Sequence, residues 1–413
     1  MTLFGGVISI TGISFLMFCV LAIAAAGYAL GRITIKGVSL GTAGVFIVAL
    51  VFGCLFYKQL DAQLVTSSVS YTTNALKIIE NLGLILFVTS VGFIAGPKFF
   101  SNMKKNFKSY VLLGLIIIIA GGISAVGCIY AGRALGEANH EEFTAMVVGL
   151  LSGSLTSTPA FSAAKDTVNP IYENAVSVGH GIAYIFGVLG VVLFVQLVPK
   201  FCRANMAEER EKLTIASDGA EKKAYAGKLI HLDGFGFCAF ALAAIVGIFV
   251  GMIKIPLTAN GLSGTTFSLT TTGGCLLVAL IFGHFGRIGK ISLMPDEHTL
   301  KVFRELGLML FLIGAGVAGG AKFIEYFDPM YFIYGAIMTI FPMIIGFIFA
   351  KYVLKLSLFN NLGSITGGMT STPALGTLIN VAGTEDVAAA YAATYPIALI
   401  AVVLVSQFLI ILF

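Results

Sequence analysis

Two short segments of this chain carry the same five residues. Gly153 to Phe161 reads GSLTSTPAF and Gly367 to Leu375 reads GGMTSTPAL, displaced by 214 positions with Thr-Ser-Thr-Pro-Ala intact. Pro159 and Pro373 cannot donate the usual helical hydrogen bond, and they bias the preceding Thr158 and Thr372 away from helical angles. Gly153, Gly367 and Gly368 permit turns and the close approach of another backbone. The pattern predicts an interrupted helix, and an interruption leaves unpaired N–H groups and the positive end of a dipole. Such an end seats a carboxylate. The hydroxyls of Thr156, Ser157, Thr158 and of Thr370, Ser371, Thr372 supply further donors without the desolvation cost of a buried cation. Small polar residues also let membrane helices pack closely, which would account for any one hydroxyl. Packing alone does not ask for the same pentapeptide twice.

Other polar residues lie around these segments. His180 follows the first and aligns with Tyr391 after the second; Tyr184 aligns in the same way with Tyr395. These four join the substrate-binding set, with His180 able to contact substrate, accept a proton or make an interhelical hydrogen bond. Lys165 and Asp166 are adjacent and can neutralise each other. Glu80 and Glu305 read as acids at the starts of helices, where an acid complements the dipole. Lys98 and Lys322 read as snorkelling residues at helix ends. No acid or base other than His180 sits well inside a long apolar stretch as a proton relay, which favours exchange of anions over proton symport. A sodium site made of backbone carbonyls stays open as an alternative.

An enzyme is not expected: no His-Glu-x-x-His, Gly-x-Ser-x-Gly or phosphate loop occurs. No metal or cofactor is expected either. Six Cys show no Cys-x-x-Cys spacing and read as packing residues.

The elements that must position these residues are membrane helices. The chain has 413 residues, 58% of them hydrophobic and only 11% charged, with a mean hydropathy of +0.97. Soluble domains carry about 25% charged residues, so the expected partner of the surface is the lipid bilayer. The net charge of +5 forms no basic stripe, and nucleic acid is excluded as a partner. Apolar stretches long enough to span fall near 11–31, 38–56, 77–96, 109–131 and 176–198, then 234–253, 265–285, 303–321, 330–353 and 388–412. Two Gly/Ser/Thr/Pro-rich segments, 144–168 and 360–383, carry the pentapeptides. This divides the chain into a first membrane repeat (1–199), a cytoplasmic polar linker (200–231) and a second repeat (232–413).

Charge arbitrates the topology. If both special segments dip in and return, with the termini outside, the cytoplasmic face receives the linker and nearly all other basic loops, including Arg32, Lys104, Arg287, Arg304, Lys351 and Lys355. The outer face keeps mainly Lys58, Lys77, Arg133, Lys254 and Lys322. The halves also repeat: NLGLILFVTSVGFIAGPKFF from Asn81 returns as ELGLMLFLIGAGVAGGAKFI from Glu305. Five spans plus one re-entrant or broken hairpin per half make the repeats inverted. The expected fold is thus an all-α polytopic membrane protein with an elevator-like carrier architecture, its substrate site at the repeat interface.

On the two TSTPA segments, the repeated LGL helices and the Gly-Arg-Ile-x-Ile-x-Gly run at Gly31 to Gly37, the sequence resembles the aspartate:alanine antiporter family, in its duplicated-domain group. The resemblance implies a bacterial inner-membrane carrier that exchanges aspartate for alanine or moves related small amino acids and carboxylates. Relatives often hold regulatory domains between the membrane halves, and this chain has only the short linker there. An anion channel and a proton- or sodium-coupled carboxylate symporter are the competing readings. Gly-rich helix surfaces are compatible with a homodimer.

Overall fold

The computed structural model describes residues 2–3, 8–35, 38–39, 42–66, 69–105, 107–137, 139–212, 229–256, 266–384 and 387–413. Part of the Gly31 to Gly37 run and half of the polar linker, residues 213–228, therefore lie outside the described residues. Uninterrupted apolar sequence gives the first half α1 (Gly12–Gly31), α2 (Ala43–Gln63), α3 (Thr72–Lys105) and α4 (Leu112–Ala134). Then follow α5 (His140–Ser154), α6 (Thr158–Thr167) and α7 (Glu173–Phe201), and in the linker α8 (Met206–Glu211). The second half contains α9 (Phe237–Gly251), α10 (Thr270–Phe285), α11 (Glu297–Ala321), the short α12 (Phe323–Tyr326) and α13 (Met330–Ile348). It ends with α14 (Leu358–Gly368), α15 (Thr372–Ala382) and α16 (Val387–Leu412).

Among the described residues, eight helices are long and apolar enough to cross a membrane. The expected spans 234–253 and 265–285 form shorter apolar helices of 15 and 16 residues. Their ends are fixed locally. Ile255–Pro256 pairs with Thr266–Phe267 as an antiparallel ribbon beyond α9, and Gly286 at φ 69° terminates α10. The expected span 38–56 shifts toward 43–63 because Val38–Ser39 pairs with Thr34–Ile35 in a similar ribbon. Such two-residue ribbons decorate the loops of an otherwise helical molecule. Outward-facing side chains are apolar along whole helices, as with Leu242, Ile245 and Phe249 of α9 or Ile119 and Ile123 of α4. Water would oppose that surface, and lipid solvates it.

The helices sort into two bundles with matching contacts. In one, α3 packs on α11, α3 on α10, α2 on α11, α1 on α2 and α9 on α10. In the other, α5 packs on α7, α14 on α16, α4 on α13, α16 on α6 and α15 on α7. The glycines shared by the two LGL helices lie at these contacts. A Cβ on Gly83 would run into the backbone nitrogen of Phe311 and stand 2.6 Å from Gly307 O, and one on Gly307 would stand 2.6 Å from Gly83 O. Farther along, a Cβ on Gly96 would stand 2.6 Å from Leu280 O of α10, and Gly320 meets Leu50 O of α2. Close backbone approach explains why these glycines recur.

Each special segment leaves and returns to one place. Asn139, the N-cap of α5, donates from Nδ2 to the Tyr172 hydroxyl at 3.2 Å, immediately before α7 begins. At the second segment, Glu209 accepts from Leu358 N at 2.9 Å while the adjacent Arg210 donates to Ala382 O. The first residue of α14 and the last of α15 are therefore neighbours. The first segment opens beside the start of α7, and the second opens beside α8, just past the end of α7.

Candidate functional site at two hairpin tips

The first tip is formed by Leu155, Thr156 and Ser157 between α5 and α6, and the second by Met369, Thr370 and Ser371 between α14 and α15. In both, the first Thr of the pentapeptide is in the left-handed region, at φ 51° for Thr156 and φ 50° for Thr370. A β-branched residue rarely adopts this, and it costs about 1–3 kcal/mol at each position. Reciprocal hydrogen bonds offset that cost. Thr156 Oγ1 donates to Met369 O at 2.9 Å, and Thr370 Oγ1 donates to Leu155 O at 2.8 Å. Each hydroxyl thus satisfies the carbonyl preceding its counterpart, and the tips meet inside the protein with both Thr 7% exposed.

Around this clasp the chain turns identically. Thr156 N donates to Gly153 O at 2.9 Å and Ser157 N to Ser152 O at 2.8 Å. Thr370 N and Ser371 N make the corresponding bonds to Gly367 O and Thr366 O at 3.1 and 3.0 Å. Pro159 and Pro373 occupy first-turn positions of α6 and α15, where the missing N–H costs nothing. Two helix N-termini, each a positive dipole end, therefore start at one point. Ser157 caps α6 by accepting from Ala160 N at 3.3 Å. Ser371 makes no such cap, and its buried Oγ has no partner among the described residues. The Thr158 side chain is buried at the start of α6. The side chains of Thr372 and Pro373 lie outside what is described.

The glycines let flanking helices approach the tips. A Cβ on Gly153 would strike His180 O of α7, one on Gly367 would stand 2.6 Å from Tyr391 O of α16, and one on Gly368 would stand 2.5 Å from Ile117 Cδ1. The aligned aromatic positions have different surroundings. Tyr391 and Tyr395 stack on each other at 5.2 Å. The His180 ring stacks on Phe161 at 4.1 Å and 6°, with Phe46 at 5.4 Å and Tyr184 at 5.2 Å. Ser152 Oγ donates to Gly149 O at 2.7 Å and lies 2.9 Å from His180 Nδ1. With the hydroxyl proton directed to Gly149, Nδ1 is the donor to Ser152, and neutral His180 presents Nε2 as an acceptor. That Nε2 is fully buried and has no partner among the described residues.

The structure places one charged pair differently from the sequence expectation. Lys165 does not neutralise Asp166; its Nζ lies 2.6 Å from Glu80 Oε1, with side-chain exposures of 5% and 9%. Asp166 instead accepts from Thr272 Oγ1 at 3.0 Å. Glu80 is not at a helix start, since α3 begins eight residues earlier at Thr72. A window placed on apolar residues alone missed that polar first turn. A buried carboxylate therefore does lie within a spanning helix, and it ties α3 of one bundle to α6 of the other.

The family described as Predicted Permease Membrane Region, Asp-Al_Ex, matches residues 18–200 and 239–411. The chain belongs to this family. Both stretches contain one hairpin tip. An uncharacterized transporter of Bacteroides thetaiotaomicron is 25% identical, covering 94% of this chain and 97% of the relative. One of Bacteroides fragilis is 26% identical over the same shares. A putative transport protein of Klebsiella pneumoniae is 23% identical, covering 95% of this chain and 97% of its own length. Family membership makes the protein a polytopic membrane permease rather than an enzyme, and among the described residues no group of three or more His, Cys, Asp or Glu could hold a metal.

Proposed function

We propose that the protein is a secondary exchanger of small amino acids or carboxylates, built from two inverted repeats and working by alternating access. The observation that carries this reading is the meeting of the two pentapeptide tips, which brings two helix N-termini together in the protein interior. A substrate carboxylate is held there by the positive dipole ends of α6 and α15 and by tip hydroxyls. The hydroxyls of Thr156 and Thr370 are engaged with each other's hairpin in this conformation, so substrate entry exchanges those bonds for bonds to the solute. Ser371 Oγ and His180 Nε2 are buried polar atoms with no partner among the described residues, and His180 is the acceptor suited to an α-ammonium.

The two-bundle packing supports an elevator-like motion, in which the bundle holding both hairpins slides against α1–α3 and α9–α11. The location proposed is a bacterial inner membrane with both termini outside and the linker in the cytoplasm. The alignment with the Bacteroides thetaiotaomicron relative spans 546 positions against the 413 residues here, so that relative carries residues this chain lacks. Their absence supports a form without central regulatory domains.

The test is uptake of labelled aspartate into proteoliposomes loaded with aspartate, alanine, succinate or buffer. Internal substrate is expected to accelerate uptake; no stimulation by any of them rejects exchange. A second reading, cation-coupled carboxylate symport, is favoured by the buried Glu80–Lys165 pair. Uptake driven by an imposed sodium or proton gradient into empty vesicles would select it.

A further inference from the structure

A cavity of about 600 Å³ lies at the open end of the second hairpin, between the linker, the end of α13 and the start of α14. Its lining includes Lys212, Lys351, Lys355, Glu209, Ser357 and Asn361. The first hairpin's open end has the opposite character. A cavity of about 340 Å³ there is lined by Glu137, Glu142, Glu325 and Asp328, and by no lysine or arginine among the described residues. The basic cavity already holds one carboxylate. Glu209 accepts from Leu358 N at the N-terminus of α14 at 2.9 Å and from Lys212 Nζ at 3.0 Å. Beside it two polar atoms are left over. Asn361 is 1% exposed; its Nδ2 donates to Phe347 O at 3.2 Å, and its Oδ1 has no partner among the described residues. Ser357 Oγ is buried and likewise has no partner among the described residues. A buried amide acceptor without a donor is costly and calls for an occupant.

We infer that this cavity is a binding site for a small dicarboxylate bearing a hydroxyl or amino donor, with Glu209 as its resident internal competitor. One ligand carboxylate takes the place of the Glu209 carboxylate on Leu358 N and Lys212. The second meets Lys351 and Lys355, and the hydroxyl or ammonium donates to Asn361 Oδ1. Displacing Glu209 also loosens its neighbour Arg210 from Ala382 O, so occupancy unlatches α8 from both ends of the hairpin. The inference is independent of what the hairpin tips carry.

Cys202 lines the cavity and is a free, exposed thiol, while Cys238 is free and exposed outside the cavity lining, so the site reports on itself. The experiment is maleimide labelling of the purified full-length protein in detergent, read as the rate at each cysteine by peptide mass spectrometry, against malate, succinate and inorganic phosphate. Malate is expected to slow labelling of Cys202 and not of Cys238, at lower concentration than succinate, which lacks the donor. Glu209→Ala should lower the malate concentration for half-protection about tenfold. Lys351→Met with Lys355→Met should raise it at least tenfold; both lysines are exposed, and Lys212→Met is the alternative variant if that pair fails to fold. Thr156→Val with Thr370→Val should leave protection unchanged, which separates this site from the hairpin tips. The inference is overturned if malate protects neither wild type nor Glu209→Ala, if both cysteines slow together, if phosphate protects as well as malate, or if the lysine variants protect normally. Loss of protection in the tip variant also overturns it, since malate would then act through the tips.

Discussion

At the scale of single residues, the two tip threonines combine a strained backbone with a donor bond across the interface. Replacing Thr156 and Thr370 by Val keeps the branched shape and removes the donors, leaving Leu155 O and Met369 O without their hydroxyl partners. Each lost buried bond costs about 1–3 kcal/mol. The double Val variant is expected to lose at least about tenfold in exchange rate, equivalent to about 1.4 kcal/mol, whereas the double Ser variant retains exchange. Equal rates in proteoliposomes would remove these hydroxyls from the mechanism. The break itself was legible because Pro and Gly act on their own stretch of chain. The partners were not, since Thr156 and Met369 are 213 residues apart and nothing local encodes which carbonyl a hydroxyl will find. Glu80 and Lys165 were hidden for the same reason. Glu80→Gln is expected to destabilise by about 3–5 kcal/mol through the buried, uncompensated lysine, and adding Lys165→Met should recover most of the loss. Thermal unfolding in detergent measures both; an undisturbed single variant would show that the pair is solvated.

At the scale of elements, glycine spacing determines which helices can touch. Gly83 and Gly307 were readable as a recurring pair from the sequence, but their meeting at the α3–α11 crossing follows only from the packed structure. Gly83→Ala would push a methyl into the Phe311 backbone, and overpacking of this kind costs about 1–3 kcal/mol. A lower melting temperature is expected for it and for Gly307→Ala alike; a difference in sign between the two would contradict their equivalent environments. The start of α9 shows how a shortened span is anchored. Asp233 accepts from the N–H groups of Phe235, Gly236 and Phe237 through Oδ1, at 3.0, 2.6 and 2.9 Å, and from Cys238 through Oδ2 at 2.8 Å. These bonds, that from Cys238 foremost, hold its carboxyl below the usual aspartate range. The stabilisation is therefore complete above the ordinary aspartate value and fades as pH falls through the lower value of the folded state. Asp233→Ala should melt earlier than wild type at neutral pH, with the gap closing in acid. A gap that is constant with pH would assign the effect to something other than the charge.

At the scale of the molecule, the chain places helices of both halves in each bundle, so any relative movement of the bundles involves both halves together. Among the described residues, two ion pairs cross the division near the first hairpin: Glu80 to Lys165, and Lys77 Nζ to Glu173 Oε1 at 2.7 Å, joining α3 to the first residue of α7. The inner pair is desolvated, while the outer one is half exposed on its lysine and is worth at most about 1 kcal/mol. Motion at this boundary must break or carry both. Lys77→Cys with Glu173→Cys, in a chain whose exposed Cys202 and Cys238 are replaced by Ser, provides a direct test. A short bis-maleimide joining α3 to α7 is expected to stop exchange across the vesicle membrane while leaving labelled substrate able to bind the detergent-solubilised protein. Full exchange by the cross-linked protein would mean that the boundary between α3 and α7 stays fixed during transport, and the moving part would then have to be the hairpins alone.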